Sequence, residues 1–371
     1  MTPIIKWPGG KSREIDKIEN LIPNFDRYIE PFFGGGALFF HLMPAKAKIN
    51  DISTNLIEYY RLIKKQDKTL HKLLLDYSNS FNKLIEVCSS ESKFLLDLFY
   101  KLQKCEINKA QLSEELNTYI FSLPEKLGIA LESIVLSSDE FIELTNKMVI
   151  DKYVRTVANH IKKPFSKEDL ADNLITGFTS GYYMYFRKVF NDINLKKIDA
   201  PSIQYQIANF YFVREYCYGS MFRYNAKGEF NIPYGGMSYN KKNLDNKIEK
   251  MFNSNVASVF NNTDICCMDF EDFIEEAELN ENDFMFLDPP YDTDFSDYEG
   301  KDFSRTDQER LANTLKSTKA KFILVIKNTD FIFNLYKDSF NILSFDKQYT
   351  YNVRSRNDRD VEHLIITNLP V

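Results

Sequence analysis

Residues 284–291 read Phe-Met-Phe-Leu-Asp-Pro-Pro-Tyr. Four consecutive apolar residues suit a strand buried on both faces, the pattern of a parallel sheet. Two prolines cannot continue the ladder, and each pushes the residue before it into an extended conformation. Asp288 is therefore held at the carboxyl end of a strand, where open α/β sheets bind their ligands. Pro290 leaves the Pro289 carbonyl without a neighbouring N–H, so that carbonyl is available as an acceptor. Tyr291 adds an aromatic plate. A carboxylate, a carbonyl and a ring together make a holder for a planar amino-heterocycle. The competing reading is an ordinary proline turn, and the apolar run before the turn and the tyrosine after it weigh against that.

Other strands arrange themselves around this one. Arg27–Phe32 predicts a short strand running into the glycine turn of Phe32, Gly34 and Gly36. Ala47–Asp51 predicts a second strand that ends on an acid, followed by an amphipathic helix over 53–65 with Leu56, Tyr59, Tyr60 and Ile63 on one face. Glycines let a backbone approach a ligand closely, and Asp51 at the next strand end can accept two ribose hydroxyls. A tight turn and a helix-capping aspartate are the plainer alternative. Further strands are expected at 265–268, 284–288, 322–328 and 363–368. A helix is expected over 302–317, with Thr306 as its N-cap and Glu309 three residues on. The segment Ile5-Lys6-Trp7-Pro8-Gly9-Gly10-Lys11 lacks the spacing of a phosphate loop, which disfavours a nucleotide triphosphatase; alone it reads as the start of a capped helix near Lys11.

The fold class expected is α/β: one parallel-type sheet with flanking helices, completed by both ends of the chain (1–75 and 255–371). Residues 78–176 carry Leu, Ile, Lys, Glu, Ser and Asn at helical spacing, with breaks near Leu123-Pro124 and Lys163-Pro164. They read as an inserted helical segment. Residues 177–254 form a third region, rich in Tyr, Phe and Asn, in which 222–242 read as loop and hairpin.

Composition bounds the function. Hydrophobic residues at 44% and charged residues at 27% of 371 fit a chain with a large core. No apolar run is long enough to span a bilayer, and the N-terminus does not read as a signal peptide. The five cysteines and four histidines show no metal-ligand spacing, so neither a metal site nor a structural disulfide is expected, and the chain reads as cytoplasmic. The net charge of −6 is unevenly spread: residues 264–302 hold fifteen Asp/Glu and one Lys, which leaves the rest of the chain basic. An anionic partner is therefore compatible with the composition.

In order along the chain stand KWPGGK, EPFFGGGALFF, NDIS, YYMYFRKVFN, FRYNAKGEFNIPYG and LDPPY. This series resembles the Dam-like DNA adenine-N6 methyltransferases over residues 1–75 and from about 178 to the end. The resemblance implies a Rossmann-like sheet with an inserted target-recognition region, S-adenosylmethionine as methyl donor and double-stranded DNA as substrate. It assigns Trp7, Lys11, Phe32, Gly34 and Gly36 to the cofactor side, Asp51 to the ribose, and Asp269 and Phe270 to the cofactor's adenine. Asp288, Pro289, Pro290 and Tyr291 would hold a flipped-out adenine, with Asp288 also bordering the cofactor. It assigns DNA contacts to Lys6, Tyr218, Met221, Arg223 and Pro233, with Tyr218 inserting into the base stack and Arg223 reading a base. A cognate restriction endonuclease is a functional partner that this family implies.

Two departures leave the recognition sequence open. Gly219-Ser220 stands where the family commonly has Asn-Gly, and Tyr351–Asp360 lacks the Ser-Asn-Gly-rich form of GATC enzymes. A methyltransferase acting on RNA or on a protein amide, and a non-catalytic DNA-binding relative, are the alternatives. If Arg223 reads a base, Arg223→Ala should relax sequence choice by about 1–3 kcal/mol at one position. Binding to a randomised site library checks this; uniform weakening with a shallower salt dependence would mark a phosphate contact instead.

Overall fold

A computed structural model describes residues 1–221, 223–291, 303–348 and 360–370. The chain divides into two compact units, one of Met1–Lys65, Phe222–Tyr224 and Asn253–Val371, the other of Gln66–Met221 and Asn225–Phe252.

The first unit is built on a seven-stranded sheet. Its strands are β1 (Arg27–Glu30), β2 (Ala47–Asn50), β3 (Thr263–Cys266), β4 (Asp283–Leu287), β5 (Lys321–Lys327), β6 (Asn341–Gln348) and β7 (Asp360–Thr367). They lie in the order β3-β2-β1-β4-β5-β7-β6. The first five are parallel, while β7 runs antiparallel to both β5 and β6. The expected parallel sheet is thus a mixed one, because the last strands close with an antiparallel pair. Strand β6 was not anticipated: Asn-Ile-Leu-Ser-Phe-Asp-Lys-Gln is an edge strand and lacks the continuous apolar run that marks β4 and β5.

All five residues of β4 are buried. One side of the sheet packs Ile29, Met285, Leu287 and Leu324 against Phe270, Phe273, Leu311, Leu315 and Tyr336. Elsewhere in the unit, Phe33, Phe39, Tyr60 and Phe260 form a cluster of rings with centroids 4.8–5.9 Å apart. Register between β1 and β4 is fixed by a bidentate pair at their first residues. Arg27 Nε donates to Asp283 Oδ1 at 2.9 Å and its terminal nitrogen to Oδ2 at 2.7 Å.

The sheet order places a switch point between β1 and β4, because the chain winds outward through β2 and β3 and then returns beside β1. Helix 305–317 does start near the expected residue, but Ser304 rather than Thr306 caps it. Ser304 Oγ accepts from Asp307 N, and the Asp307 carboxylate accepts from Ser304 N at 2.9 Å, a complete capping box. Among the described residues no helix is long and apolar enough to cross a membrane.

The second unit is helical, and it unites the block at 78–176 with the aromatic segment that follows. Its longest helices are Lys68–Ser90, Ser138–Lys162, Lys167–Asn194 and Ile203–Tyr216. The breaks fall at the two expected prolines, with one helix ending at Phe121 and another at Lys162. Tyr77, Phe81, Tyr182, Phe186, Phe212 and Tyr216 interlock at its centre, with centroids 4.5–5.4 Å apart between neighbours. In the expected loop-and-hairpin region Asn225 N donates to the Glu229 carbonyl at 2.9 Å around Gly228, bridge residues Tyr224 and Phe230 stand on either side of that turn, and an isolated antiparallel bridge joins Cys217 to Tyr234.

Helices 138–162 and 167–194 meet at a glycine: a Cβ on Gly181 would stand 2.6 Å from the Thr145 Cα. Backbone cannot yield as a flexible side chain does. Gly181→Ala should therefore destabilise the protein by about 1–3 kcal/mol, read as a lower urea midpoint with an unchanged slope.

Candidate functional site

The tetrapeptide Asp288–Tyr291 follows β4 directly, at the switch point. Lys11, whose side chain is 1% exposed, reaches it from the N-terminal segment. Its ammonium donates to Asp288 Oδ1, to the Tyr291 hydroxyl at 3.0 Å and to the Gly9 carbonyl at 3.1 Å. A buried ammonium is costly unless its three N–H groups find acceptors, and here they do. Lys11 therefore joins the tetrapeptide itself. The helix expected to begin near it starts at Ile15. Two more side chains hold the tetrapeptide. Gln308 Nε2 donates to the Pro290 carbonyl at 2.8 Å, and His363 Nε2 lies 3.2 Å from the Tyr291 hydroxyl.

The glycine turn follows β1. Gly34 and Gly36 have φ of +50° and +64°, and each is crowded. A Cβ at Gly34 would stand 2.8 Å from Trp7 Cδ1, and one at Gly36 would stand 2.5 Å from Phe33 Cζ. The half-buried Trp7 thus lies against the turn because residue 34 has no side chain. Gly34 N donates to Asp51 Oδ2 at 2.8 Å, and Ser53 N donates to Oδ1 at 2.9 Å. Burial raises the Asp51 carboxyl above its ordinary value, against the backbone N–H groups of Ser53, Gly34 and Ile52, which lower it. Asp51 is a turn clip as well as an acid at a strand end; Ser53, not Asp51, caps the helix Thr54–Lys64.

Phe32 packs on Phe270, with centroids 5.4 Å apart. Asp269 caps helix 270–276, accepting from Glu271 N at 2.9 Å, and pairs with Arg310 at 2.6 Å. Buried Asn50, at the end of β2, ties this region together. Its amide donates to the Pro31 and Met268 carbonyls at 3.1 and 3.0 Å and accepts from Met268 N at 3.0 Å.

Three acids stand at the carboxyl ends of adjacent strands: Glu30 on β1, Asp51 after β2 and Asp288 after β4. Glu30 is 2% exposed and accepts from the Tyr28 hydroxyl at 2.8 Å. Burial raises its carboxyl well above the glutamate range; the Tyr28 bond opposes this, and repulsion from Asp288 and Asp51 adds to it. The carboxylates of Asp51 and Asp288 at the ends of β2 and β4 favour a cationic ligand. The crowded, side-chain-free turn beside it and the ring of Phe32 suit a nucleoside. The donor set therefore fits a nucleoside carrying positive charge, as the sulfonium of S-adenosylmethionine does.

Glu30, Asn50, Gln308, Arg310 and His363 were not anticipated. Glu30 and Asn50 had a signal, each being a polar residue at the end of a short strand. Gln308, Arg310 and His363 lie in elements that were read only as helix or strand.

The residues expected to meet DNA fall in both units. Lys6 and Arg223 are exposed and belong to the sheet unit. Tyr218, Met221 and Pro233 belong to the helical unit, where they are neighbours. Tyr218 N donates to the Pro233 carbonyl at 2.8 Å, and Met221 N donates to the Tyr218 carbonyl at 3.3 Å. Gly219 takes a φ of +64°, and its N–H donates to the Tyr239 hydroxyl at 3.0 Å, which leaves the Tyr218 ring 46% exposed. Residues 351–359 of the Tyr351–Asp360 segment, like the acidic residues at 292–302, lie outside the described residues.

The family model for the D12 class of N6 adenine-specific DNA methyltransferases matches residues 7–127 and 135–351. The chain is 26% identical over 374 residues to the type II methyltransferase M.CviBI of Paramecium bursaria Chlorella virus NC1A, covering 99% of this chain and 100% of that one. It is 28% identical over 386 residues to the type II methyltransferase M.MjaIII of Methanocaldococcus jannaschii, covering 99% and 98%. A DNA adenine methylase of Haemophilus influenzae is 23% identical over 336 residues, covering 88% and 79%. The family match includes most of residues 78–176, so the helical block is part of what the chain shares with its relatives.

Because the Asp51 carboxylate satisfies two backbone N–H groups, Asp51→Ala should cost stability even without ligand, by about 1–3 kcal/mol. Equilibrium unfolding of the ligand-free protein measures it. An unchanged midpoint would show that Gly34 and Ser53 do not depend on the carboxylate.

Proposed function

Since this chain belongs to the D12 class of N6 adenine-specific DNA methyltransferases, we propose that its tetrapeptide Asp288-Pro289-Pro290-Tyr291 is the holder of the target adenine. The protein is a site-specific DNA adenine-N6 methyltransferase, and its substrate is DNA. The observation that carries the residue assignment is the Lys11 ammonium fixed on Asp288 and Tyr291 at the switch point.

The exocyclic nitrogen of adenine is a poor nucleophile because its lone pair is delocalised into the ring. Asp288 and the Pro289 carbonyl would accept its two N–H bonds. That favours a pyramidal nitrogen and fixes the direction in which it attacks. Acceptors set before the reaction cost no reorganisation as charge develops. Lys11 orients the Asp288 carboxylate, and Gln308, through the Pro290 carbonyl, holds the second proline in place. Tyr291 would stack on the base, which must leave the duplex to reach the pocket.

Dependence on S-adenosylmethionine is general in this family. When bound, the cofactor supplies an electrophilic methyl group on a sulfonium. Trp7, Phe32, Gly34, Gly36 and Phe270 would form the surface it rests on. Asp51 would take the ribose and Asp269 the adenine amino group, while Asp288 answers the positive charge. Asp269 also serves Arg310 and a helix cap, so only part of its accepting capacity would go to the cofactor.

Lys6, Tyr218, Met221, Arg223 and Pro233 would contact double-stranded DNA, with Tyr218 entering the stack and Arg223 reading a base. The helical unit would serve as the target-recognition region. A restriction endonuclease of the same sequence specificity is the functional partner, by analogy with the type II methyltransferases among the relatives, and the cytoplasm is the compartment in which both would meet DNA.

Asp288→Ala should lower the rate of methyl transfer about a hundred- to a thousandfold, with DNA affinity little changed. Asp288→Asn should retain more activity, because its amide oxygen still accepts one hydrogen bond. Single-turnover methylation at saturating cofactor and DNA is the measurement. A folded Asp288→Ala within about threefold of wild type would refute the role, since one preorganised acceptor is worth far more than that.

A further inference from the structure

His363 is fully buried, at 0% exposure, in the strand between two antiparallel partners. It stands opposite Lys327 of β5 and Phe345 of β6. Burying an imidazole just ahead of the apolar run Leu364, Ile365 and Ile366 is costly unless its nitrogens are used. Its Nε2 lies 3.2 Å from the Tyr291 hydroxyl, and the two rings meet edge-on at 72° with centroids 5.5 Å apart. On its far side the His363 ring faces Phe345, with centroids 5.8 Å apart.

The same hydroxyl receives the Lys11 ammonium at 3.0 Å. Lysine only donates, so the phenol oxygen accepts from Lys11, and the same hydroxyl shares a second hydrogen bond with His363 Nε2. Lys11, Tyr291 and His363 form one hydrogen-bonded chain that begins at Asp288.

We infer that His363 is a positioning residue for methyl transfer: it fixes the tilt of the Tyr291 ring through the phenol hydroxyl, so that the plate on which the base stacks is set before DNA arrives. The inference rests on the proposed role of Tyr291 as that plate. Two rigid anchors hold the hydroxyl, a buried ammonium and a strand residue, while the ring itself follows a proline pair. Without His363 the phenol keeps Lys11 but loses its second hydrogen bond, and the ring gains a rotation. Small misplacements of a reacting group cost rate more than affinity.

The test is single-turnover methylation of duplex DNA by the full-length protein, with DNA and cofactor affinities measured alongside. His363→Leu should lower the rate about tenfold, with both affinities within about twofold of wild type. His363→Gln, whose side-chain amide can still bond the phenol hydroxyl, should recover most of that loss. Tyr291→Phe should cost about as much as His363→Leu, and adding His363→Leu to Tyr291→Phe should cost nothing further, because the two act through one hydrogen bond. A His363→Leu protein at the wild-type rate, or one losing the same factor in the Tyr291→Phe background, overturns the inference. If His363→Leu does not fold, the Tyr291→Phe rate decides, since removal of the hydroxyl must reproduce the loss. Tyr291→Ala separates the two layers. If it methylates normally, the stacking plate itself is refuted; if it is slow while His363→Leu is not, only the role of His363 is.

Discussion

A single buried ammonium organises the chemistry of this protein. Lys11 lies 277 residues from Asp288 in sequence and is almost wholly withdrawn from water. It stays buried only because Asp288, Tyr291 and Gly9 each supply an acceptor. The dependence runs both ways. The N-terminal segment cannot settle until β4 has placed Asp288, and the tetrapeptide has no fixed carboxylate until Lys11 arrives. Trp7, four residues before Lys11, is seated by the same event against a turn that tolerates no Cβ at Gly34. One ion pair thereby couples the side expected to hold the cofactor to the side expected to hold the base. A buried pair of this kind adds little net stability; what it contributes is a single arrangement of the groups around it.

The sequence reveals those features whose cause is local. Asp288 is legible because the two prolines beside it dictate the backbone. Gly34 and Gly36 are legible because a turn after a strand demands positive φ, and β4 and β5 show as short apolar runs. What stays hidden depends on partners far along the chain. Lys11 is conspicuous as a residue, yet nothing near it names Asp288 as its partner. His363 and Gln308 look like ordinary members of a strand and a helix, and only the fold brings them to Tyr291 and Pro290. Strand β6 escapes notice because an edge strand need not be apolar on both faces. Ser304 displaces Thr306 as a cap because Asp307, not Glu309, completes the reciprocal pair.

The acids around the switch point also explain a contradiction in composition. A chain of net charge −6 acts on a polyanion. Part of that negative charge is spent at the ends of β2 and β4, where Asp51 and Asp288 suit a cationic ligand. Lys6 and Arg223, by contrast, are exposed. Overall charge is thus a poor guide here, since it does not tell buried acids from exposed basic side chains.

The sheet unit is assembled from both ends of the chain, and this bears on how the protein is made. Strands β1 and β2 belong to the first 65 residues, while β3 to β7 follow residue 253. During synthesis the helical unit leaves the ribosome complete while β1 still lacks its β4 neighbour. A growing chain therefore carries an unfinished strand edge until everything between Glu30 and Asp283 has been translated. Parallel pairing at such separation is slow and exposed to aggregation. Arg27, charged and at the first position of β1, keeps that waiting edge from being wholly apolar until Asp283 emerges to pair with it.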